Sequence, residues 1–285
     1  MLEKLQSFAK KDEEIRAMIL NGSRVDEKVE PDIFQDYDVV CLTTDVALYR
    51  ENRQWINQFG EIMIMQIPDE ISGSEEKTEK FTFLLQFANG QRLDITFFSV
   101  GNLSSMQHES LSKVLLDKDG LLDELPPPSN KDYVTLPPLE KEFSDCCNEF
   151  WWVNTYIAKG LWRNELPYAK AMFEGPVRAM LILMLRWHIG QKHNFLVDSG
   201  KSGKYFKNYL EKKIWNQFVK TYPDGDYEHM WDALFNMGSL FRKLARGLAD
   251  DLGFTYNEEE DARVTAHLEH VRRLPSDAKS IYPNK

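Results

Sequence analysis

The chain has 285 residues, 42% hydrophobic and 12% aromatic, with 45 acidic against 35 basic side chains and a formal net charge of -10. That apolar content excludes an intrinsically disordered chain. The acidic balance argues against a protein that coats nucleic acid or an anionic membrane through a basic surface.

In chain order, "MLEKLQSFAKKDEEIR" is too charged for the apolar core of a signal peptide, and Leu2, Leu5 and Phe8 recur as in an amphipathic helix. "IRAMIL", "YDVVCLTT", "IMIMQI", "KFTFLLQFA" and "RLDITFFSV" are rich in Val, Ile, Thr and Phe and read as strands. Asn89-Gly90 between the last two is a hairpin signal. "SGSEEKTEK" reads as an exposed loop. Five prolines from Pro126 to Pro138 then stop regular structure, which sets domains at 1–128 and 139–285 with a Pro-rich linker between. Beyond the linker, five segments are long enough for several helical turns. The fourth carries Met230, Leu234, Met237 and Phe241 on one face and stops at Gly253. The fold class is therefore α+β, an N-terminal mixed-sheet domain followed by a C-terminal helical bundle. The most apolar run, "PVRAMLILMLRWHIG", is shorter than the roughly 20 residues of a membrane span and contains Arg178 and Arg186. Cys41, Cys146 and Cys147 form neither a disulfide framework nor a zinc-type pair, and read as reduced thiols of a cytoplasmic protein.

The chemistry concentrates at "NGSRVDEKVEPDIFQDYDVV". Gly22 allows a sharp turn after the first strand, and its amides with the Ser23 hydroxyl suit a phosphate. In an extended chain Phe34, Asp36, Asp38 and Val40 share a face, so two carboxylates lie side by side. A third acid, Asp94, interrupts "QRLDITFF" with Arg92 and Thr96 on its own face. Three acids in apolar strands are costly unless they bind something, and paired Mg²⁺ ions with oxygen ligands would offset that cost. Such ions can clamp both oxygens of an in-line displacement at phosphorus.

Gly-Ser, Asp-x-Asp and a later strand carboxylate resemble the polymerase-β-like nucleotidyltransferase superfamily. With "FQDYDVV", "DCCNEFWWV" and "YEHMWDALF" the chain is more narrowly similar to the aminoglycoside 6-adenylyltransferases, over nearly its whole length. The resemblance implies transfer of AMP from ATP to a hydroxyl of an aminoglycoside, the 6-hydroxyl of streptomycin, with release of pyrophosphate and resistance to the drug. It gives Asp36 and Asp38 the Mg²⁺, and Gly22, Ser23 and Arg24 the triphosphate. Asp94 becomes general base on the acceptor or a further metal ligand.

In the helical half, "FLVDSGKSGKYF" fails as a P-loop because Phe195 stands where its first glycine belongs. Lys201 and Lys204 on this basic loop, and more weakly Arg178, are candidates to reach the ATP phosphates. A polycationic acceptor calls for acids and aromatic walls, which Asp145, Glu149, Trp151 and Tyr156 can supply. The competing reading is a helix that packs its tryptophans into the core, which is preferred for Trp162. His267 and His270 share a face without a third ligand and read as surface residues. The expected whole is an enzyme with its active site in the cleft between the domains. Its rivals are a nucleotidyltransferase of the same fold with another acceptor, or a binding protein without turnover.

Overall fold

The computed structural model describes residues 1–72, 79–122 and 125–282. The chain divides into two compact units, Met1–Asp132 and Tyr133–Lys285. Most of the expected loop at 72–80 lies outside the described residues.

The first unit runs α1 (Leu2–Lys11), β1 (Ile15–Asn21), β2 (Tyr37–Thr43), α2 (Val46–Glu51), β3 (Ile62–Gln66), β4 (Lys80–Phe87), β5 (Arg92–Ser99) and β6 (Ser112–Asp117). The strands form one sheet in the order β3-β4-β5-β2-β1-β6. β2 and β5 pair parallel, and every other neighbouring pair is antiparallel. Asn89-Gly90 makes the β4–β5 hairpin, with Gly90 at φ +85°.

Alternation gives the sheet two different faces. Phe81, Phe83, Leu85 and Phe87 point into the larger core together with Leu93, Ile95 and Phe97. There α1 contributes Leu5 and Phe8, Tyr49 stacks on Phe97 at 3.9 Å, and Trp55 stacks on Phe8 at 5.7 Å. Among the described residues the opposite face carries a smaller buried cluster, Ala17, Ile19, Leu42, Phe98 and Leu122. It leaves room there for polar side chains.

Two features depart from expectation. β6 was not anticipated, because "SKVLLD" is short and its Lys113 and Val114 are exposed. β2 begins at Tyr37, so Asp36 lies on its lead-in and Phe34 is 87% exposed rather than aligned on the face.

The second unit comprises α3 (Glu140–Trp162), α4 (Leu166–Met172), α5 (Arg178–Lys192), α6 (Phe206–Tyr209), α7 (Lys212–Val219), α8 (Tyr227–Leu252) and α9 (Glu258–Arg273). A π-helical turn, Phe173–Val177, joins α4 to α5 around Pro176, which has no N–H to give an α-helical bond. α8 starts with Asp226 accepting from the amides of Glu228 and His229, and stops at Gly253, φ +72°. Its Met230, Leu234, Met237 and Phe241 are buried, with Phe150 of α3 stacked on Phe241 at 3.7 Å. All three cysteines are buried free thiols. Among the described residues no helix is long and apolar enough to cross a membrane.

Candidate active site

The site is built by backbone pairing. In the parallel β2–β5 ladder Asp38 lies opposite Asp94, and across β1 Asp38 pairs with Asn21. Asp36, just ahead of β2, completes a group of three carboxylates with ligand atoms all within 4.8 Å of one another, each half-buried. Burial, then the charges of Asp36, Asp94 and Glu109, push the Asp38 carboxyl up to about 6.

Arg92, one step before Asp94 on the same face, is the countercharge. Its Nε and Nη2 donate to the two Asp94 oxygens at 2.8 and 2.6 Å, and its Nε lies 3.8 Å from Asp36 Oδ2. Hydrogen bonding to Asp94 holds this guanidinium above its ordinary pKa, outweighing the opposing effect of burial. The sequence showed Arg92 only as a face neighbour. The bidentate geometry comes from the two-residue strand period, which stacks the guanidinium over the carboxylate.

Gly22 ends β1 at φ +78°, and a Cβ there would stand 2.7 Å from Asp38 Oδ2. The turn therefore needs glycine both for its backbone and for the carboxylate against it. The expectation that the Gly22 amide is bared for phosphate is corrected, because that N–H donates to the Leu111 carbonyl at 3.0 Å. The amides of Ser23 and Arg24 open the short helical turn that follows.

Arg24 is also engaged differently from expectation. Its Nε donates to Asp36 O at 2.8 Å and its Nη2 to Gln35 O at 2.6 Å, with the guanidinium 3.7 Å above the Tyr37 ring. It ties the segment carrying Asp36 to the turn.

Within the helical unit, Asp145 and Glu149 line one cavity of about 550 Å³ with Glu142, Arg186 and Trp187. Asp145 also pairs with Lys141. Trp151 does not join them: it is 2% exposed and donates to Tyr256 Oη at 3.0 Å, in the core. Tyr156 faces another cavity, of about 360 Å³, beside Lys159 and His267, and accepts from Trp152 Nε1 at 2.7 Å. Trp162, read as a packing residue, is partly buried against the core and donates to Leu274 O at 3.1 Å. Arg178 is buried and turned inward, bonded to Glu174, Thr221 Oγ1 and Thr221 O, and 3.8 Å over the Tyr222 ring. It serves its own unit's packing, because the unit's interior leaves its guanidinium few other partners. Lys201 and Lys204 are exposed on a turn flanked by Gly200 and Gly203, both at φ +78°.

A family model described as streptomycin adenylyltransferase matches residues 1–271. The chain belongs to the streptomycin adenylyltransferase family. Membership makes it an adenylyltransferase, an enzyme that acts on a nucleotide. Relatives named aminoglycoside 6-adenylyltransferase include one from Bacillus subtilis, 35% identical with 95% of this chain and 96% of that protein covered. Another is from Campylobacter jejuni, 34% identical with 88% and 87% covered, and a third from Staphylococcus aureus, 31% identical with 85% and 87% covered. A crystal structure of an aminoglycoside 6-adenyltransferase from Bacillus subtilis, 32% identical, aligns over 96% of this chain and 98% of that one with a TM-score of 0.49.

The donor set of this family member fits a hard divalent cation. It is all carboxylate oxygen and closely gathered, and burial together with like-charge crowding already pushes one member toward neutrality.

Proposed function

We propose that the chain adenylylates an aminoglycoside, transferring AMP from ATP to the 6-hydroxyl of streptomycin and releasing pyrophosphate. The observation that carries this reading is the in-register meeting of Asp38 and Asp94, with Asp36, against a glycine turn. The relatives' shared name supplies the acceptor class.

Asp36 and Asp38 would hold Mg²⁺, which supplies Lewis-acid stabilisation of charge on the phosphoryl oxygens. The acceptor oxygen attacks the α-phosphorus in line, forming the new P–O bond as the bond to the bridging oxygen of pyrophosphate breaks. Asp94 accepts the hydroxyl proton on a carboxylate oxygen as that bond forms. Arg92 releases or shares Asp94 for this step, since it bonds both oxygens at rest. Ser23 and the turn's amides position the triphosphate, and Arg24 keeps Asp36 in place. Lys201 and Lys204 remain proposed phosphate contacts. We assign the reaction to the cytoplasm, where ATP is abundant and the buried thiols stay reduced. Its expected consequence there is drug resistance.

Incubation with ATP, Mg²⁺ and a panel of aminoglycosides, read by mass spectrometry, tests the reading. A streptomycin adduct of one AMP with stoichiometric pyrophosphate supports it. An adduct on spectinomycin or kanamycin alone reassigns the acceptor, and no adduct on any drug defeats it.

A further inference from the structure

The sheet face that carries the aspartates continues into a cavity of about 530 Å³, within the usual range for a small-molecule site. Val40 and Thr96 on its floor are the next residues on that face after Asp38 and Asp94. Residues two apart along a strand are separated by about 6.5–7 Å. A sugar-sized ring seated over Val40 and Thr96 therefore extends its substituents to the carboxylates. Ile19 and Phe98 give the floor apolar surface, while Asn21, Thr96 and Ser112 give it hydrogen-bonding groups.

The wall is acidic, with Glu79, Glu109 and Asp132 set against Lys80. That sign disfavours a triphosphate and favours ammonium or guanidinium groups, which a carboxylate binds by charge-assisted hydrogen bonds. Asp132 has a structural task, accepting from the Ser110 amide at 3.0 Å. Glu109 is close enough to the aspartates for its charge to act on Asp38. Glu79 leads into β4 beside Lys80.

We propose that this cavity receives the acceptor, a polyhydroxylated ring bearing guanidinium or ammonium groups, and that Glu79 and Glu109 read its cationic substituents. The proposal rests on the acceptor class given under the proposed function. It moves acceptor selection into the sheet unit, away from the acidic cavity at Asp145 and Glu149.

Equilibrium dialysis of the full chain with streptomycin, in the presence of Mg²⁺ and the non-hydrolysable α,β-methylene analogue of ATP, provides the test. Both glutamates reach solvent, and far-UV circular dichroism and urea titration check that the isosteric E79Q/E109Q is folded before dialysis. It is expected to weaken streptomycin binding by about tenfold or more, the loss of two charge-assisted contacts, while analogue affinity stays within about twofold. The control E142Q/E149Q, in the helical cavity, is expected to bind streptomycin like the wild type. Unchanged binding by E79Q/E109Q, a loss confined to E142Q/E149Q, or no binding by the wild type would each overturn the proposal. A wild type that adenylylates streptomycin while E79Q/E109Q still binds it fully removes only this assignment. A wild type that binds through Glu79 and Glu109 yet forms no adduct removes only the catalytic reading.

Discussion

Asp38 in the sheet and Asp261 in the helical unit are both carboxylates drawn away from water, and the chain treats them in opposite ways. Burial would push Asp261 up, but Arg242, the Tyr256 hydroxyl and Thr265 bond it and hold it below its ordinary range. Asp38 is pushed up to about 6 by burial, and Asp36 and Asp94 beside it add to that shift rather than offset it. The helical unit spends its buried charge on its own cohesion, as Arg178 with Glu174 and Thr221 shows again. The sheet unit keeps an excess of negative charge that a cation can relieve. Polar groups satisfied internally hold a fold together, whereas those left in surplus are available to a ligand.

The contrast can be broken most forcefully at Asp38. Asp38→Asn is expected to cut adenylyl transfer by about 10²–10³-fold, the scale of losing an electrostatic group at a reacting centre. The same change should leave the ligand-free protein as stable or about 1–2 kcal/mol more stable near neutral pH, after discounting the relieved repulsion for partial solvation. Steady-state kinetics paired with urea titration reads both halves; retained activity would end the site's assignment.

Arg242→Ala attacks the other side of the comparison. It removes the countercharge from the Asp261 carboxylate, 1% exposed, leaving the Tyr256 and Thr265 hydroxyls on it, and is expected to cost about 3 kcal/mol, with activity per folded molecule preserved. Chemical denaturation together with active-site titration checks it, and a silent variant would mean that the pair contributes little.

Gly22→Ala forces a Cβ against Asp38 Oδ2 at φ +78°. The expected stability cost is about 1–2 kcal/mol. Transfer should fall further than that cost explains, because the displaced carboxylate is one of the proposed metal ligands. A parallel fall of the two quantities would speak for a purely conformational role.

Acidification should separate the units with the smallest effects. The folded Asp38 carboxyl titrates near 6, above its unfolded value of 3.8, so as pH falls from 6 toward 4 the folded form takes up a proton first and the sheet unit gains stability. His188 of α5 is lowered from 6.5 to about 4, by burial and then by Lys192. Across that fall the unfolded chain takes up its proton first, so the helical unit loses stability. Hydrogen exchange resolved by unit, at pH 7 and pH 5, should shift in opposite directions, and a common direction would refute the assignment of these two groups.

Much of the fold was legible because its periodicity is strong. β4 alternates without interruption, α8 keeps one apolar face, and Asn89-Gly90 and Gly253 punctuate the chain where expected. β6 escaped because its exposed Lys113 and Val114 break alternation, and α2 because six residues carry little helical period. The aspartates stood out as charges within apolar strands. Arg24 and Arg178 did not reveal their tasks, since where a long side chain donates depends on tertiary neighbours absent from the local sequence. Trp151 and Trp152 show the same limit. Adjacent helical residues point about 100° apart, and only the packing of α8 and α9 decides that the first is buried while the second is 58% exposed.

The parallel ladder between β2 and β5 has a further consequence for how this protein tolerates change. Its carboxylates meet through main-chain hydrogen bonding, which no single side chain in the core dictates. Conservative repacking beneath the sheet should thus leave catalytic alignment intact. A single residue inserted between Gly90 and Asp94 that slips β5 by one position would instead turn that acid toward the aromatic layer around Tyr49 and swing Ile95 and Phe97 out of it, so the proposed chemistry and the larger core would be lost together.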